Sequence, residues 1–258
     1  MNLSTKPDWL ATMPDSVVNT RHPHGRSAVL LVCEHASRFI PDGLSNLGLD
    51  ADSAQSHIAW DPGALAVARQ LSDSLDATLI AQNVSRLVYD CNRPPESDQA
   101  IRPVSEVYNI PGNAALTASQ RNERTDYIYR PFQKALAEAV RTRPQTVLVT
   151  IHSFTPIFNG APRAVEVGIL HDTDPRMADV MLEAASIDPT FKVERNAPYG
   201  PEDGVTHTLV EHALPRGLLN VMIEVRNDLL IDNNGVEAIA KWLERHLTAA
   251  LTKLDGTS

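Results

Sequence analysis

The stretch SAVLLVCEH (27–35) is an apolar run as long as a β-strand, and it ends in Glu34 and His35. Its apolar residues follow one another without alternation, which is typical of a strand covered on both faces, as in a mostly parallel sheet. The stretch TVLVTI (146–151) has the same character and is followed by His152. Because sites form outside the carboxyl ends of strands in open α/β sheets, we expect these polar residues to lie close together.

Strand patterns and helix patterns alternate along the rest of the chain. Thr117 and Gln120 have the spacing of a capping box at the start of one helix. The alternation predicts an α/β fold with a mostly parallel or mixed central sheet flanked by helices. Further strands are predicted at 77–82, 85–90, 165–170 and 219–225, and helices at 61–75, 117–141, 175–187, 205–213 and 235–252.

The 258 residues are expected to form a single α/β domain, since a chain of this length can bury one large core. Residues 1–26 contain three prolines and are interpreted as an arm that lies over the surface. Residues 91–116 are also rich in proline, which predicts a long irregular excursion from the fold. Long loops in compact domains are often functional.

Composition and charge exclude several classes of protein. The 32 acidic and 23 basic residues give a net charge of −9 without a basic patch, so binding to nucleic acid is not expected. No apolar stretch approaches the roughly 20 residues of a membrane span, and no export signal is recognised, so we expect a cytoplasmic protein. Cys33 and Cys91 are too few for a disulfide framework and are expected to be reduced.

The polar residues at the strand ends are of the types that bind a metal ion. A catalytic Zn²⁺ is typically held by three nitrogen or oxygen ligands and keeps one position open for water. Fe²⁺, Co²⁺ and Mn²⁺ suit similar ligands. A single histidine after a strand is more often a loop or capping residue. Two of them, His35 and His152, with Glu224 at a third strand end, favour a metal site.

Five ordered motifs resemble the N-formylglutamate amidohydrolase family over residues 28 to 230, and parts of them are similar to zinc carboxypeptidases. The resemblance implies a fold like that of zinc exopeptidases and a zinc-dependent hydrolase of small N-acyl amino acids such as N-formylglutamate, in histidine catabolism. The family pattern has Pro-His-Gly-Gly where this chain has EHAS (34–37). The motifs are CEHAS (33–37), HIAWDPGA (57–64), SRLVYDCNRP (85–94), IHSFTP (151–156) and IEVRND (223–228).

The resemblance implies that His35 and His152 are metal ligands. Asp61 is our first choice for the third ligand, although a residue before Pro62 can also serve as a helix cap. Glu34 is the second choice, because neighbouring residues in an extended segment usually point in opposite directions.

By the same resemblance, Glu224 is the general base that takes a proton from the attacking water and passes it to the leaving amine. The alternative is a structural ion pair with Arg226, which follows on the same side of the strand. His207 is a candidate donor to the developing oxyanion, or simply a residue at the start of a helix. His57 and His171 are expected to be structural.

Arg93 and Asn92 resemble the carboxylate clamp of zinc carboxypeptidases. An N-acyl amino acid has a free α-carboxylate, which arginine can hold through two parallel hydrogen bonds. Arg86 either contributes to this binding or braces the excursion that starts at Pro94.

Two other readings of the chain remain. A cysteine-dependent hydrolase would use Cys33 or Cys91, but Cys33 lies in an apolar strand and Cys91 is not at a helix N-terminus that would lower its pKa. A non-catalytic member of the family would bind a metabolite without turnover, which leaves Glu224 and the two histidines without a role. The sequence leaves the acyl group, the amino acid and the oligomeric state open.

Overall fold

The computed structural model describes residues 7–143 and 147–255. The first six residues of the predicted arm, and Thr146 of the predicted strand 146–151, lie outside the described residues. The described strands, in chain order, are β1 (Val18–Arg21), β2 (Val29–Cys33), β3 (Thr78–Gln82), β4 (Val104–Ser105), β5 (Tyr108–Asn109), β6 (Val147–Phe154), β7 (Ile157–Phe158), β8 (Ala161–Pro162), β9 (Val167–Leu170), β10 (Val193–Arg195) and β11 (Asn220–Arg226).

Seven of these strands form one mixed sheet, which confirms the predicted α/β class. Their order is β1-β3-β2-β6-β11-β9-β10. The four strands β3, β2, β6 and β11 run parallel to one another, whereas β1 pairs antiparallel with β3, and β9 antiparallel with β11. Every residue of β2, β3, β6 and β9 is buried, as the unbroken apolar runs predict for strands covered on both faces.

Helices cover both faces of the sheet. The first face packs against α2, α5 and α7, and the second against α4 and α6. None of the described helices is long and apolar enough to cross a membrane. The helices are α1 (Ala51–Gln55), α2 (Ala64–Leu75), α3 (Ala118–Arg124), α4 (Arg130–Arg141), α5 (Arg176–Ser186), α6 (His207–His212) and α7 (Asn233–Asp255).

The predicted helix 117–141 is present, and its capping box between Thr117 and Gln120 is confirmed. A π-helical turn, Thr125–Tyr129, separates α3 from α4. Such turns lie frequently beside functional sites.

The strand predicted at 85–90 is wrong, because this segment is a turn. The Ser85 backbone carbonyl accepts from the amide of Val88 at 2.9 Å, and the Ser85 hydroxyl accepts from the amide of Leu87 at 3.1 Å. These local hydrogen bonds compete with strand pairing. The apolar side chains that suggested a strand are buried in the second face of the core instead.

Two strands of the seven-stranded sheet, β1 and β10, were not predicted. Within the predicted arm, β1 is an edge strand of the sheet, and Trp9 is buried in the core. At the opposite edge, β10 has only three residues, and two of them are exposed. Short, polar edge strands lack the apolar pattern by which strands are recognised.

Gly63 has a left-handed φ of 83° immediately before α2, and this explains why the helix begins at Ala64 rather than at Asp61. A Cβ atom on Gly63 would lie 2.4 Å from the Cβ of Leu230. Gly217 also has a positive φ, 63°, but a Cβ there would meet nothing within 4 Å.

We therefore expect Gly63→Ala to lower the free energy of unfolding far more than Gly217→Ala. Both variants force alanine into the left-handed region, at about 1–2 kcal/mol. Only Gly63→Ala adds overpacking, at about 1–3 kcal/mol. Urea unfolding of both variants measures the difference, and equal losses would contradict the clash with Leu230.

Candidate active site

The parallel strands β2, β6 and β11 are neighbours in the sheet, so they deliver their polar residues to the same edge. Glu34 and His35 follow β2, whereas His152 and Glu224 lie in β6 and β11 and are paired in register. All four are at most 4% exposed. The expectation that the strand-end residues lie close together is confirmed.

A cavity of about 580 Å³ opens at this edge of the sheet. Seven residues predicted from the sequence to form the site line it: His35, Asp61, Arg86, Asn92, Arg93, His152 and Glu224. His207 is described but does not line this cavity.

Three ligand-type atoms converge at the base of the site. The Nδ1 atoms of His35 and His152 are 3.2 Å apart, and Asp61 Oδ2 lies 3.2 Å from the first and 2.9 Å from the second. Donor atoms bonded at 2.0–2.1 Å to a tetrahedral ion are separated by about 3.3 Å. The three atoms therefore have nearly the spacing that one such ion requires.

Two further carboxylates face the outer nitrogens of the histidine rings. His35 Nε2 lies 2.7 Å from Asp90 Oδ1, and His152 Nε2 lies 3.1 Å from Glu34 Oε2. The Asp90 carboxylate holds the proton on His35 Nε2, so that the lone pair of His35 Nδ1 points to the centre, whereas the approach of Glu34 to His152 Nε2 lacks the geometry of a hydrogen bond. The position of Glu34 is thus behind His152, and Asp61 is the carboxylate that lies with the two Nδ1 atoms.

The charge of this cluster also favours a cation. Burial raises the pKa of Asp61, but His35, His152 and Arg86 hold it well below the usual value. Burial lowers the pKa of His152, but Glu34 and Asp61 outweigh it and raise this pKa well above the usual value. The two Nδ1 atoms are only 3.2 Å apart, so at most one of them can carry a proton. One divalent cation would satisfy all three inner atoms, and the donor set fits Zn²⁺.

Glu224 lines the cavity beside this cluster. Its Oε2 atom is buried and has no hydrogen-bond partner in the described part of the chain. Burial raises the pKa of Glu224 to about 8. The alternative ion pair with Arg226 is wrong, because Arg226 pairs with Asp228 at 2.8 Å and Glu166 at 3.3 Å.

Arg86 and Arg93 differ in their partners. Arg86 donates to Asp61 Oδ1 at 3.2 Å and to Asp90 Oδ2 at 2.9 Å, so it braces the carboxylates of the cluster. Arg93 donates to the backbone carbonyls of Asn92 at 2.9 Å and of Gly204 at 2.6 Å. It lines the cavity, and its buried Nε atom is a donor that no described residue uses.

Asn92 and His207 are engaged with the protein itself. The Asn92 amide donates to the Val205 carbonyl and accepts from the Thr208 amide at 3.1 Å. His207 stacks on Tyr129, whose hydroxyl lies 2.9 Å from His207 Nε2. Burial lowers the pKa of His207.

The wall also contains ionisable residues that the sequence did not predict as site residues, among them His57, Glu106, Arg102 and Arg163. His57 Nε2 lies 2.7 Å from Glu106 Oε1, so both are part of the wall. Asp90, whose carboxylate contacts His35 Nε2, was also not predicted as a site residue. It belongs to the segment 85–90, which was predicted to be a strand.

The two cysteines do not support a cysteine hydrolase. Cys33 and Cys91 are both buried, and neither lines the cavity. Burial raises the pKa of each thiol, whereas a nucleophilic cysteine needs a lowered pKa.

Known proteins are similar to this chain over most of its length. The sequence model of the family described as N-formylglutamate amidohydrolase matches residues 27–231. The structure of a gene product from Agrobacterium tumefaciens shares 52% sequence identity and a TM-score of 0.92, over 93% of this chain and 96% of that chain. No curated protein matches.

Two more distant structures show a likeness of fold alone. An N-formylglutamate amidohydrolase from Ralstonia eutropha JMP134 is 19% identical, with a TM-score of 0.65 over 93% of this chain and 99% of that chain. A bacteriophage poly-gamma-glutamate hydrolase is 8% identical, with a TM-score of 0.50 over 96% of this chain and 95% of that chain.

We expect His35→Ala and His152→Ala each to abolish stoichiometric metal binding, because each removes one of three inner ligands. The purified variants are incubated with Zn²⁺, freed of excess metal, and measured by mass spectrometry for metal per chain. His171→Ala is the control, since His171 does not line the cavity and should leave the metal content unchanged. Full occupancy in either ligand variant would remove that histidine from the site.

Proposed function

Because the chain belongs to the N-formylglutamate amidohydrolase family, we propose that it is a metal-dependent hydrolase that cleaves the amide bond of N-formylglutamate or a closely similar N-acyl amino acid. The observation that carries the proposal is the convergence of His35, His152 and Asp61 in one cavity with the unpartnered carboxylate of Glu224. Zinc as the cation, a cytoplasmic location and a place in histidine catabolism are parts of the same proposal.

His35, Asp61 and His152 would hold the cation. When bound, a divalent cation acts as a Lewis acid, which lowers the pKa of water and polarises the scissile carbonyl. Asp90 and Glu34 orient the two rings from behind, and such outer partners typically change metal affinity or activity by about 10–100-fold when they are lost.

Glu224 moves the proton in this mechanism. Its Oε2 atom takes a proton from the attacking water and then gives it to the nitrogen of the leaving amino acid. Burial helps this carboxylate to hold the proton, and the positive charge of a cation bound beside it would lower its pKa again, so that it starts ionised. The absence of a competing partner on Oε2 among the described residues leaves this atom available for the transfer.

Arg93 would bind the substrate at its α-carboxylate, and Asn92, whose side-chain amide is used by Val205 and Thr208, would support it rather than touch the substrate. The unpartnered Nε of Arg93 supplies a charge-assisted donor, and Asn92 fixes the loop to which Arg93 is also bonded. Arg86, which is paired with Asp61 and Asp90, adds positive charge to the same wall. His207 would act on the oxyanion only after a movement that brings it into the cavity, so we assign it a supporting role beside Tyr129.

The proposal is tested with protein reconstituted with Zn²⁺ and supplied with N-formyl-, N-acetyl- or N-succinyl-L-glutamate. Release of glutamate from the N-formyl compound, lost on chelation and restored by metal, is the expected result. If metal-loaded protein binds these compounds without releasing glutamate, the chain is a non-catalytic member of its family.

In the same assay, Glu224→Gln should retain metal and lose about 10²–10⁴-fold in kcat, because the amide keeps the shape of the side chain but cannot accept the proton. Metal content and thermal unfolding are measured in parallel. Activity near that of the wild type, with full metal, would exclude Glu224 as the general base.

Arg93→Lys should lower kcat/KM for N-formylglutamate by about tenfold to a hundredfold, because lysine keeps the charge but not the planar fork. This range corresponds to about 1.5–3 kcal/mol for a hydrogen bond to a charged group. A second substrate is N-formylglutamate with its α-carboxylate converted to a neutral amide. The loss in kcat/KM should be smaller for this compound. An equal loss on both substrates would mean that Arg93 only holds Gly204 in place.

A further inference from the structure

A short hairpin after β6 places a fourth arginine in the wall of the cavity. The hairpin consists of β7 and β8, joined by Asn159 and Gly160, which have positive φ values of 48° and 78°. Two central residues with positive φ are typical of the tight turns that join adjacent strands. Arg163 follows β8, and its amide donates to the carbonyl of Pro156 at 2.8 Å.

Three aromatic rings surround the guanidinium of Arg163. Its central carbon lies 4.4 Å from the ring centre of Phe158, 4.9 Å from that of Tyr199 and 5.5 Å from that of Phe154. Contacts through the ring faces fix the guanidinium but do not neutralise its charge. The bond of its Nη1 atom to the Thr155 carbonyl, at 3.3 Å, uses one of five N–H donors.

The four arginines of this cavity fall into two pairs, of which Arg86 and Arg102 have acidic partners within 4 Å. Arg86 forms ion pairs with Asp61 and Asp90, and Arg102 lies 3.6 Å from Asp90. In the described part of the chain, Arg163 and Arg93 form no ion pair. Two guanidinium groups that face one cavity without acidic partners favour a ligand with two negative charges.

The two arginines also lie at different depths. Arg93 is 7% exposed and belongs to the segment after Asp90, which contacts the ring of His35. Arg163 is only half-buried. The α-carboxylate of an N-acyl amino acid is attached to the carbon that carries the scissile nitrogen, so its binding group has to lie beside the metal-binding cluster. The side chain of the amino acid extends away from that point.

We propose that Arg163 binds the side-chain carboxylate of a dicarboxylic N-acyl amino acid and selects it over uncharged analogues, while Arg93 holds the α-carboxylate. This assignment rests on the proposed function. Arg163 is thus a specificity-determining residue, held by its three rings in the orientation that the second carboxylate requires.

The kinetic test compares N-formyl-L-glutamate with N-formyl-L-glutamine, which has nearly the same shape but a neutral side chain. Arg163→Gln should lower kcat/KM for the glutamate compound by about tenfold to a hundredfold, mostly through KM, and change that for the glutamine compound by less than about threefold. Arg163→Lys should recover part of the loss. Arg38→Gln is the matched control, because Arg38 also stacks on a ring, that of Trp60 at 5.4 Å, but does not line the cavity.

A binding measurement separates this inference from the proposed function. Glutarate carries two carboxylates and butyrate one, and neither contains an amide bond to hydrolyse. Calorimetry should show that metal-loaded wild-type protein binds glutarate at least about tenfold more tightly than butyrate, and that Arg163→Gln removes the difference. If this result is obtained while no N-formylglutamate is hydrolysed, the proposed function fails and the role of Arg163 stands.

Two results would overturn the role of Arg163. One is an equal loss of kcat on both N-formyl substrates, which would place Arg163 at the reacting carbonyl or in the support of the hairpin. The other is equal affinity of the wild-type protein for glutarate and butyrate. Metal content and thermal unfolding of each variant show that the protein is folded and loaded in every comparison.

Discussion

Three buried carboxylates and two imidazole rings lie together at one edge of the sheet, and the balance of their charges is the constraint on which the rest of the site depends. Glu34, Asp61 and Asp90 are each at most 3% exposed. Ionised groups at such depth are tolerated only when they are paired and hydrogen-bonded. His35 and His152 lie between these carboxylates, with one nitrogen of each ring towards the centre and the other towards an outer carboxylate. The arrangement leaves a centre with a demand for positive charge.

The same buried polar groups connect the excursion and α6, which are distant in sequence, to the edge of the sheet. The hydroxyl of Thr208, in α6, donates to Glu34 at 2.5 Å. Thr208 in turn donates to Asn92, which also holds the loop before α6, and Arg93 donates to Gly204 of that loop. The excursion and α6 are therefore attached to each other and to the cluster by polar contacts. Since these contacts are buried, the low local dielectric makes each of them stronger than it would be in water.

The sequence predicted the parts of this arrangement that follow from strand direction, and missed those that depend on contacts between distant segments. Buried parallel strands have a recognisable apolar pattern, so the meeting of the strand-end residues was expected. The sequence alone could not decide whether Asp61 or Glu34 lies with the two Nδ1 atoms, because that depends on distances between segments far apart in the chain. The turn at 85–90 has strand-like composition, because its apolar side chains are buried for tertiary reasons, and Asp90 was hidden by that assignment. Arg163 follows a short hairpin whose strands have only two residues each. Strands of that length show no apolar alternation by which the sequence could reveal them.

The departure of the first motif, CEHAS (33–37), from the family pattern has a structural explanation. Glu34 Oε2 lies 3.1 Å behind His152 Nε2, on the same outer side on which Asp90 lies behind His35, although only the Asp90 contact has the geometry of a hydrogen bond. Among the residues of this motif, only His35 lines the cavity. The changed positions therefore act on the orientation of a histidine and on packing rather than on a substrate. The walls that a ligand in the cavity would contact are formed by the excursion and the hairpin, and of the first motif only the ring of His35 reaches them.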